Sequence, residues 1–292
     1  MTPTLLIPIN MFAGDTQSLL AAARLAQLLG ARLVLLYLHR HTASGPECCP
    51  EKGPLSNQKP QALTRALDSL VRTLPVPAVA EIGVGRPEKV VQDALQRHRP
   101  VLIVLTRPPE TVPSDALPTV TLLNLLRISR PYPLLVVPPG TPATTLPQRV
   151  LLAADGERFS LGEPGNFVRE LLGALHAHLT VAHVTESATQ HTAPRALGSV
   201  ARTGLTRDLP EVHTYHTCSA QPATGILQAV QEQQADLLLV VARPHTFLWE
   251  LFQRGVTAQL VVHSPIPVLV LPTEQEARAL GSRSATLRTH FA

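Results

Sequence analysis

Residues 235–272 read ADLLLVVARPHTFLWELFQRGVTAQLVVHSPIPVLVLP, and this stretch decides the fold class. Residues 237–241 form an unbroken apolar run, which is typical of a strand buried on both faces. A helix is predicted next, because apolar side chains recur at helical spacing from Leu248 to Val261. Two prolines then end the helix, and residues 268–271 form a second apolar strand. The stretch therefore predicts a strand–helix–strand unit in the interior of a parallel sheet.

An earlier stretch repeats this unit. Residues 101–138 read VLIVLTRPPETVPSDALPTVTLLNLLRISRPYPLLVVP, and their Arg-Pro pair recurs 136 positions later. Thr-Val-Thr at 119–121 aligns with Gly-Val-Thr at 255–257 at the same offset. The closing Pro-x-Pro turns, at 131–133 and 265–267, differ by 134 positions. A constant offset through strand, turn and helix predicts that the chain contains two copies of one fold.

Composition restricts the class of protein. The chain has 292 residues, of which 45% are hydrophobic, so it is long enough to bury two cores of ordinary domain size. No apolar run approaches the roughly 18 residues of a membrane span, and the N-terminus lacks the basic segment of a signal peptide. We therefore expect a cytoplasmic protein with no membrane partner. The net charge of +4 comes from dispersed residues and only 3% of residues are aromatic, so no nucleic-acid partner is expected.

Each copy is predicted to follow the order β-α-β-α-β-α-β-α-β. In the first copy the predicted strands are 4–10, 32–39, 79–84, 101–106 and 133–138, and the helices are 15–29, 61–74, 88–97 and 119–128. In the second copy the strands are 150–154, 179–184, 212–218, 237–241 and 268–271, and the helices are 165–176, 223–234 and the one that contains Leu248. Residues 188–207 are predicted to be a loop with a poor helix.

This alternation predicts an α/β fold of two tandem flavodoxin-like or Rossmann-like domains, each a doubly wound five-stranded parallel sheet. A ligand crevice is expected beyond the carboxyl ends of the strands that flank the reversal of strand order. The predicted domains are 1–140 and 149–273. Residues 274–292 are polar and are predicted to form a flexible tail.

Four features of the chain occur together and in order. They are LLAADG at 151–156, Gly-Arg-Pro at 85–87, the helix-to-strand phrase at 226–240, and a closing strand after each Pro-x-Pro turn. Together they resemble the universal stress protein family in its tandem two-domain form, over nearly the whole chain. The resemblance implies an adenine nucleotide alpha hydrolase-like fold and a stress-related role. It also implies an intramolecular pseudo-dimer in which the fifth strands, 134–137 and 268–271, pair with each other.

Members of that family that bind ATP carry Gly-x2-Gly-x9-Gly-Ser/Thr between the fourth strand and the fourth helix. Glycines there let the backbone approach phosphate oxygens, and amides at the helix N-terminus donate to them. In this chain the second copy keeps the spacing but replaces two of the glycines, and it keeps an acidic residue at the end of its first strand. The resemblance thus implies a candidate cofactor site made of Asp155, Ala242, His245, Gly255, Val256 and Thr257.

The first copy keeps less of this pattern. Thr106, Pro109, Thr119 and Val120 stand at the motif positions, and Asn10 stands where the acidic residue is expected. Pro109 has no amide hydrogen to donate to a phosphate. The resemblance therefore implies the fold and a stress-related role without implying ATP. No cofactor is predicted, and ATP or ADP binding by the second domain stays open as an alternative.

Other kinds of functional site leave weaker signals in the chain. The chain has no Gly-x4-Gly-Lys-Ser/Thr, which excludes a P-loop nucleotide hydrolase. His213 and His216 lie three apart on a predicted strand, so they point to opposite faces and no metal site is predicted. Cys48 and Cys49 are adjacent in a loop rich in glycine and proline, and a metal or redox role stays open beside an incidental pairing. We interpret His245 as a solvated loop residue, with contact to a phosphate or carboxylate as the alternative.

The sequence therefore predicts a non-enzymatic universal stress protein-like stress-response protein, a sensor or scaffold with little or no ATP binding. Its protein partners are not identified by the sequence, and a homodimer stays open beside the pseudo-dimer. Two alternatives belong to other classes. One is an ATP- or ADP-binding stress sensor that uses the second domain, and the other is a pure protein-interaction module.

Overall fold

The structure is a computed structural model that describes residues 2–9, 15–39, 60–107, 131–142, 145–185, 193–242 and 255–274. The chain divides into two compact units. Unit 1 comprises Met1–Ser129 and Val137–Leu146, and unit 2 comprises Arg130–Val136 and Pro147–Ala292.

Unit 1 is built on a parallel sheet. Its elements are β1 (Thr4–Ile9), α1 (Asp15–Leu28), β2 (Arg32–His39), α2 (Pro60–Thr73), β3 (Ala78–Val84), α3 (Pro87–His98) and β4 (Leu102–Thr106). The strands pair in the order β3-β2-β1-β4, and each neighbouring pair is parallel. Leu5, Leu35 and Ile103 are fully buried on these strands. Continuous burial of this kind explains why the strands read as unbroken apolar runs.

Unit 2 repeats this plan. Its elements are β5 (Leu134–Val137), β6 (Arg149–Ala153), α4 (Glu163–Ala174), β7 (His178–Thr185), α5 (Ala193–Arg202), β8 (Val212–Cys218), α6 (Pro222–Glu232), β9 (Leu237–Ala242), α7 (Val256–His263) and β10 (Val268–Pro272). Strands β10-β9-β6-β7-β8 are parallel throughout, which confirms the five-stranded doubly wound sheet predicted for the second copy. The order of connection reverses between β6 and β9, which are neighbours.

The predicted pairing of the two fifth strands is confirmed. β5 runs antiparallel to β10, with Leu134, Leu135 and Val136 opposite Val270, Leu269 and Val268. All four residues of β5 are buried. Val137, at the end of β5, belongs to unit 1, where its carbonyl accepts a hydrogen bond of 2.8 Å from the Arg107 amide.

The segment 188–207 was predicted as a loop with a poor helix, and the structure has a regular helix, α5, in its central part. Ala196, Ser199 and Val200 are buried at spacings of three and four residues, so one face of the helix packs in the core. Pro194 is compatible with this helix because it lies in the first turn, where a missing amide costs nothing. Tertiary burial therefore overrides a weak local propensity here.

Glu274 was assigned to the flexible tail, and the structure corrects this assignment. Its amide donates to the Ser160 carbonyl at 2.7 Å, and its carboxylate accepts from the Ser160 hydroxyl at 2.7 Å. Residues 275–292, the predicted helix at 119–128 and the loop between β9 and α7 lie outside the described residues. None of the described helices is both long and apolar enough to cross a membrane.

Candidate functional site

The candidate site lies at the carboxyl edge of the sheet in unit 2. β6 and β9 are adjacent and parallel there, and their last register pair joins Ala153 to Val240. Asp155 and Ala242 each lie two residues beyond that pair, so they reach the same edge at the same level. This is the position at which doubly wound sheets bind ligands, because the strand order reverses there and leaves a crevice.

Asp155 is exposed at this edge, and its carboxylate forms a local turn. Its Oδ1 accepts a hydrogen bond of 2.9 Å from the Glu157 amide, the usual pattern of an aspartate-stabilised turn. Gly156 lies between them with a φ of 84°, which glycine adopts without strain. The Asp-Gly pair at the end of β6 therefore has a structural role in addition to any role toward a ligand.

Ala242 is the last residue of β9, opposite Pro272 of β10, and it is only 5% exposed. It holds the position where the ATP-binding pattern has its first glycine. A buried methyl group there occupies space that a glycine would leave for a close approach of the backbone. His245, the second position of the pattern, lies outside the described residues.

Gly255, Val256 and Thr257 lie at the beginning of α7. Because β9 and β10 are parallel, the connecting helix must begin at the carboxyl edge of the sheet. Gly255 precedes the helix with φ −67° and ψ 150°, an extended conformation that any residue adopts. As a glycine it has no side chain that could cap the helix. The amides of the first turn have no intrahelical acceptor, and the helix dipole favours an anion at this end.

His183 is a residue that the sequence reasoning did not identify. It lies on β7, is 4% exposed, and its Nδ1 lies 2.7 Å from the Ala154 carbonyl oxygen. A carbonyl only accepts, so Nδ1 carries the proton and donates. The ring also lies under the Asp-Gly turn, since a Cβ on Gly156 would be 3.8 Å from His183 Cε1. Its signal in the sequence is a polar residue inside an apolar strand.

Polar side chains line one face of β7 and β8 beside this turn. His183 is opposite His216 in the register and Thr185 is opposite Cys218, so all four share a face. The two imidazole rings have centroids 6.0 Å apart. The Thr185 hydroxyl lies 3.1 Å from His216 Nε2 and 3.6 Å from the sulfur of Cys218, whose residue is exposed.

His213 and His216 point to opposite faces of β8, as predicted, because they are three residues apart on a regular strand. His213 Nε2 instead lies 3.6 Å from the Glu211 carboxylate. Within the described ranges, no group of three or more His, Cys, Asp or Glu side chains is arranged to hold a metal ion.

The corresponding edge of unit 1 is described only in part. Thr106 ends β4 and is half-buried. The other positions compared in the first copy, and both cysteines of the long loop, lie outside the described residues; they are Asn10, Pro109, Thr119, Val120, Cys48 and Cys49.

Comparison with known proteins supports the same class of fold. A sequence profile of the Universal stress protein family matches residues 147–272. No functionally curated protein matches the chain.

Three solved structures resemble it over most of its length, at identities that show the fold alone. One is a universal stress protein from Archaeoglobus fulgidus DSM 4304 (TM-score 0.67, 15% identity, covering 92% of this chain and 96% of that one). Another is a functionally unknown protein from Pseudomonas aeruginosa PAO1 (TM-score 0.64, 18% identity, 98% of both chains). A third is the cytoplasmic domain of a prokaryotic cation chloride cotransporter (TM-score 0.58, 14% identity, 96% and 100%).

Proposed function

Residues 147–272 belong to the universal stress protein family, and from this premise we propose that the chain is a non-enzymatic stress-response protein that acts with little or no ATP binding. In this proposal it works in the cytoplasm as a sensor or scaffold and passes its signal to a protein partner.

One observation at the carboxyl edge of β6 and β9 carries the proposal. The buried methyl group of Ala242 takes the place of a glycine that would let the backbone approach a phosphate. Beside it, the Asp155 carboxylate is engaged with the Glu157 amide, 2.9 Å away. The Ala242 methyl group therefore opposes a tightly held triphosphate, while Asp155 stabilises the local turn.

The second candidate function is ATP or ADP binding by unit 2, and the beginning of α7 favours it. The first-turn amides and Gly255 remain available for an anion by position. A helix end contributes only about 0.3–1 kcal/mol toward a charged group, whereas a micromolar ligand needs about 8 kcal/mol. The helix end is therefore too weak by itself to retain a nucleotide.

The pairing of β5 with β10 supports the part of the proposal that concerns assembly. β5 comes from the first copy of the repeat and β10 from the second, and each is the last strand of its copy. We include an intramolecular pseudo-dimer in the proposal for that reason. A partner protein would then bind a surface made by a single chain.

Calorimetric titration of the full chain with ATP and Mg²⁺, together with native mass spectrometry of the purified protein, tests the proposal. We expect no micromolar binding and no copurified nucleotide. Micromolar binding that is lost in Asp155→Ala would establish the second candidate instead.

A restored pattern sharpens this test. The triple variant Ala242→Gly, His245→Gly and Val256→Ser recreates Gly-x2-Gly-x9-Gly-Ser, and we expect it to bind ATP at least about tenfold more tightly than the wild type, a gain of about 1.4 kcal/mol. Ala235→Gly is the matched control, because Ala235 is a buried alanine just before the amino end of β9. An equal gain in the control, or none in the triple variant, would show that the lost glycines do not limit binding.

A further inference from the structure

The outer strand of unit 1 exposes an apolar edge. β3 pairs with β2 along its whole length, and no other described strand pairs with its far side. Val79, Ile82 and Val84 are 47%, 38% and 52% exposed. Natural edge strands are normally protected by lysine, proline, a bulge or an inward-pointing charge. β3, with the sequence AVAEIGV, contains neither lysine nor proline.

Glu81 is the one charged residue of β3, and it is turned away from the open edge. Its carboxylate contacts Arg97 Nη1 at 2.9 Å and His98 Nε2 at 2.8 Å, both at the end of α3. Gly83 lies on the same face, since a Cβ there would be 2.0 Å from Val90 Cγ1 of α3. The only charge within β3 is therefore partly neutralised on the face of the sheet that packs against α3.

The backbone of β3 offers hydrogen bonds in a defined pattern. The Leu33 amide of β2 donates to the Pro77 carbonyl at 2.9 Å, so Pro77 and every second residue after it face β2. The N–H and C=O groups of the residues between them point outward. These residues are Ala78, Ala80, Ile82 and Val84.

We propose that β3 pairs antiparallel with β3 of a second copy of this chain, about a two-fold axis through Ile82, in a weak homodimer. With this axis Ile82 faces Ile82 of the other copy, and Ala80 faces Val84. All these residues point their backbone groups outward, so the hydrogen bonds close in pairs. The apolar side chains of Ile82 and Val84 then lie on one face and cover each other.

The axis is placed at Ile82 because the neighbouring choice is unfavourable. An axis through Glu81 would set two carboxylates directly opposite each other, which destabilises a strand pair. With Ile82 on the axis, Glu81 faces Gly83 instead. The chain already contains one pairing of this kind, since β5 and β10 are short apolar strands that pair antiparallel. A second copy can pair with this edge because an isologous interface joins the same surface of both copies, and the register about Ile82 is complementary to itself.

The homodimer is expected to be weak. A pairing confined to one strand of seven residues buries less than the ~1,200–2,000 Å² of a standard interface. The association should therefore depend on protein concentration. The proposal is independent of nucleotide binding, because β3 lies in the other unit from the candidate nucleotide site.

Sedimentation velocity of the full chain over a range of concentrations tests the proposal. We expect a reversible monomer–dimer equilibrium in the wild type. Ile82→Lys places two positive charges face to face on the axis and should weaken dimerisation at least about tenfold. Val84→Lys is a second variant at a more exposed position, in case Ile82→Lys lowers the folded fraction. Circular dichroism and thermal melting confirm that each variant is folded.

Thr214→Lys is the matched control. Thr214 is exposed on β8, the outer strand of unit 2, and the same alternation points its backbone groups away from β7. The substitution adds the same charge to the other sheet edge, and we expect it to leave the dimer unchanged. The proposal is overturned if the wild type is monomeric up to about 1 mM, or if both lysine variants in β3 dimerise as the wild type does. It is equally overturned if Thr214→Lys is the variant that dissociates the dimer.

Discussion

The third helix of each copy packs closely on its sheet, and the two copies achieve this contact in opposite ways. In unit 1 the small residue is on the strand, where Gly83 of β3 admits Val90 of α3. In unit 2 the small residue is on the helix, where Gly225 of α6 lies against Val184 of β7 and Ser219. At the repeat offset of 136 positions, Gly83 aligns with Ser219 and Lys89 with Gly225.

This difference teaches that the two units keep a close contact between the third helix and the sheet without keeping the glycine at one position. Either the strand or the helix can carry the small residue, because only the summed volume of the two facing side chains must fit. The side chains around the contact are then free to diverge. The outer strands illustrate this, since β3 exposes valine and isoleucine whereas β8 carries histidine, threonine and tyrosine.

The largest effect is expected from Gly83→Ala. The new Cβ would lie 2.0 Å from Val90 Cγ1, a distance that forces the valine or the helix to move. We expect a loss of about 1–3 kcal/mol in the free energy of unfolding, the usual cost of overpacking. Denaturant unfolding at equilibrium measures it. Val90→Ala in the same chain should recover part of the loss, and additive losses in the double variant would contradict the proposed contact.

A smaller effect is expected from Gly225→Ala. Its Cβ would lie 2.7 Å from Val184 Cγ1 and 2.9 Å from Ser219 Cβ, which is again too close. Alanine also has a helix propensity better than glycine by about 0.8–1 kcal/mol, and this gain offsets part of the strain. We therefore expect a net loss of about 1 kcal/mol or less. If Gly225→Ala cost as much as Gly83→Ala, the contrast between strand and helix would be wrong.

The smallest effect concerns a hydrogen bond between β8 and α6 in unit 2. The Tyr215 hydroxyl donates to Glu232, and Gln228 Nε2 donates to the same carboxylate at 2.7 Å. The hydrogen bond from Tyr215, followed by that from Gln228, lowers the pKa of Glu232. The same hydrogen bond, with burial as a smaller cause, raises the pKa of Tyr215.

Tyr215→Phe should therefore return the pKa of Glu232 toward its ordinary value, which NMR titration of the carboxyl carbon measures. A lowered folded-state pKa stabilises the protein above the unfolded-state pKa, and this contribution is lost as the pH falls through the folded-state value. The stability difference between wild type and Tyr215→Phe should thus be present at neutral pH and vanish in acid. It should also shrink in alkali as Tyr215 ionises. In unit 1 the carboxylate between the third strand and the third helix is that of Glu81, which contacts Arg97 and His98. Tyr215→Phe should leave these contacts unchanged.

Much of the fold could be predicted from the sequence because its strands are buried on both faces. Such strands read as apolar runs, and the repeat offset fixes their order twice. The fifth strands were identified in the same way, and their pairing was implied by the resemblance to the universal stress protein family, with which their apolar edges agree. The helix α5 was predicted only as a poor helix within a loop, because burial of Ala196 and Val200, which the local sequence does not show, decides the outcome.

The candidate site was predictable in position and less so in detail. The family resemblance singled out Asp155 and Ala242 at the ends of the first and fourth strands of the copy, and the register of β6 and β9 shows that these strand ends are neighbours. The bond from the Glu157 amide to Asp155 and the bond from His183 to Ala154 were not predictable. The first bond depends on the positive φ of Gly156, and the second depends on the register between β6 and β7.

The sequence by itself determined the repeated offset, the alternation of strands and helices, and the apolar interior, because each leaves a periodic or repeated pattern along the chain. Only the tertiary structure decided whether the strand or the helix carries the glycine in each close contact, which polar groups gather beside the Asp155 turn, and which outer strand exposes apolar side chains. Those features depend on distances of a few ångströms between residues far apart in sequence, and no local pattern records such distances.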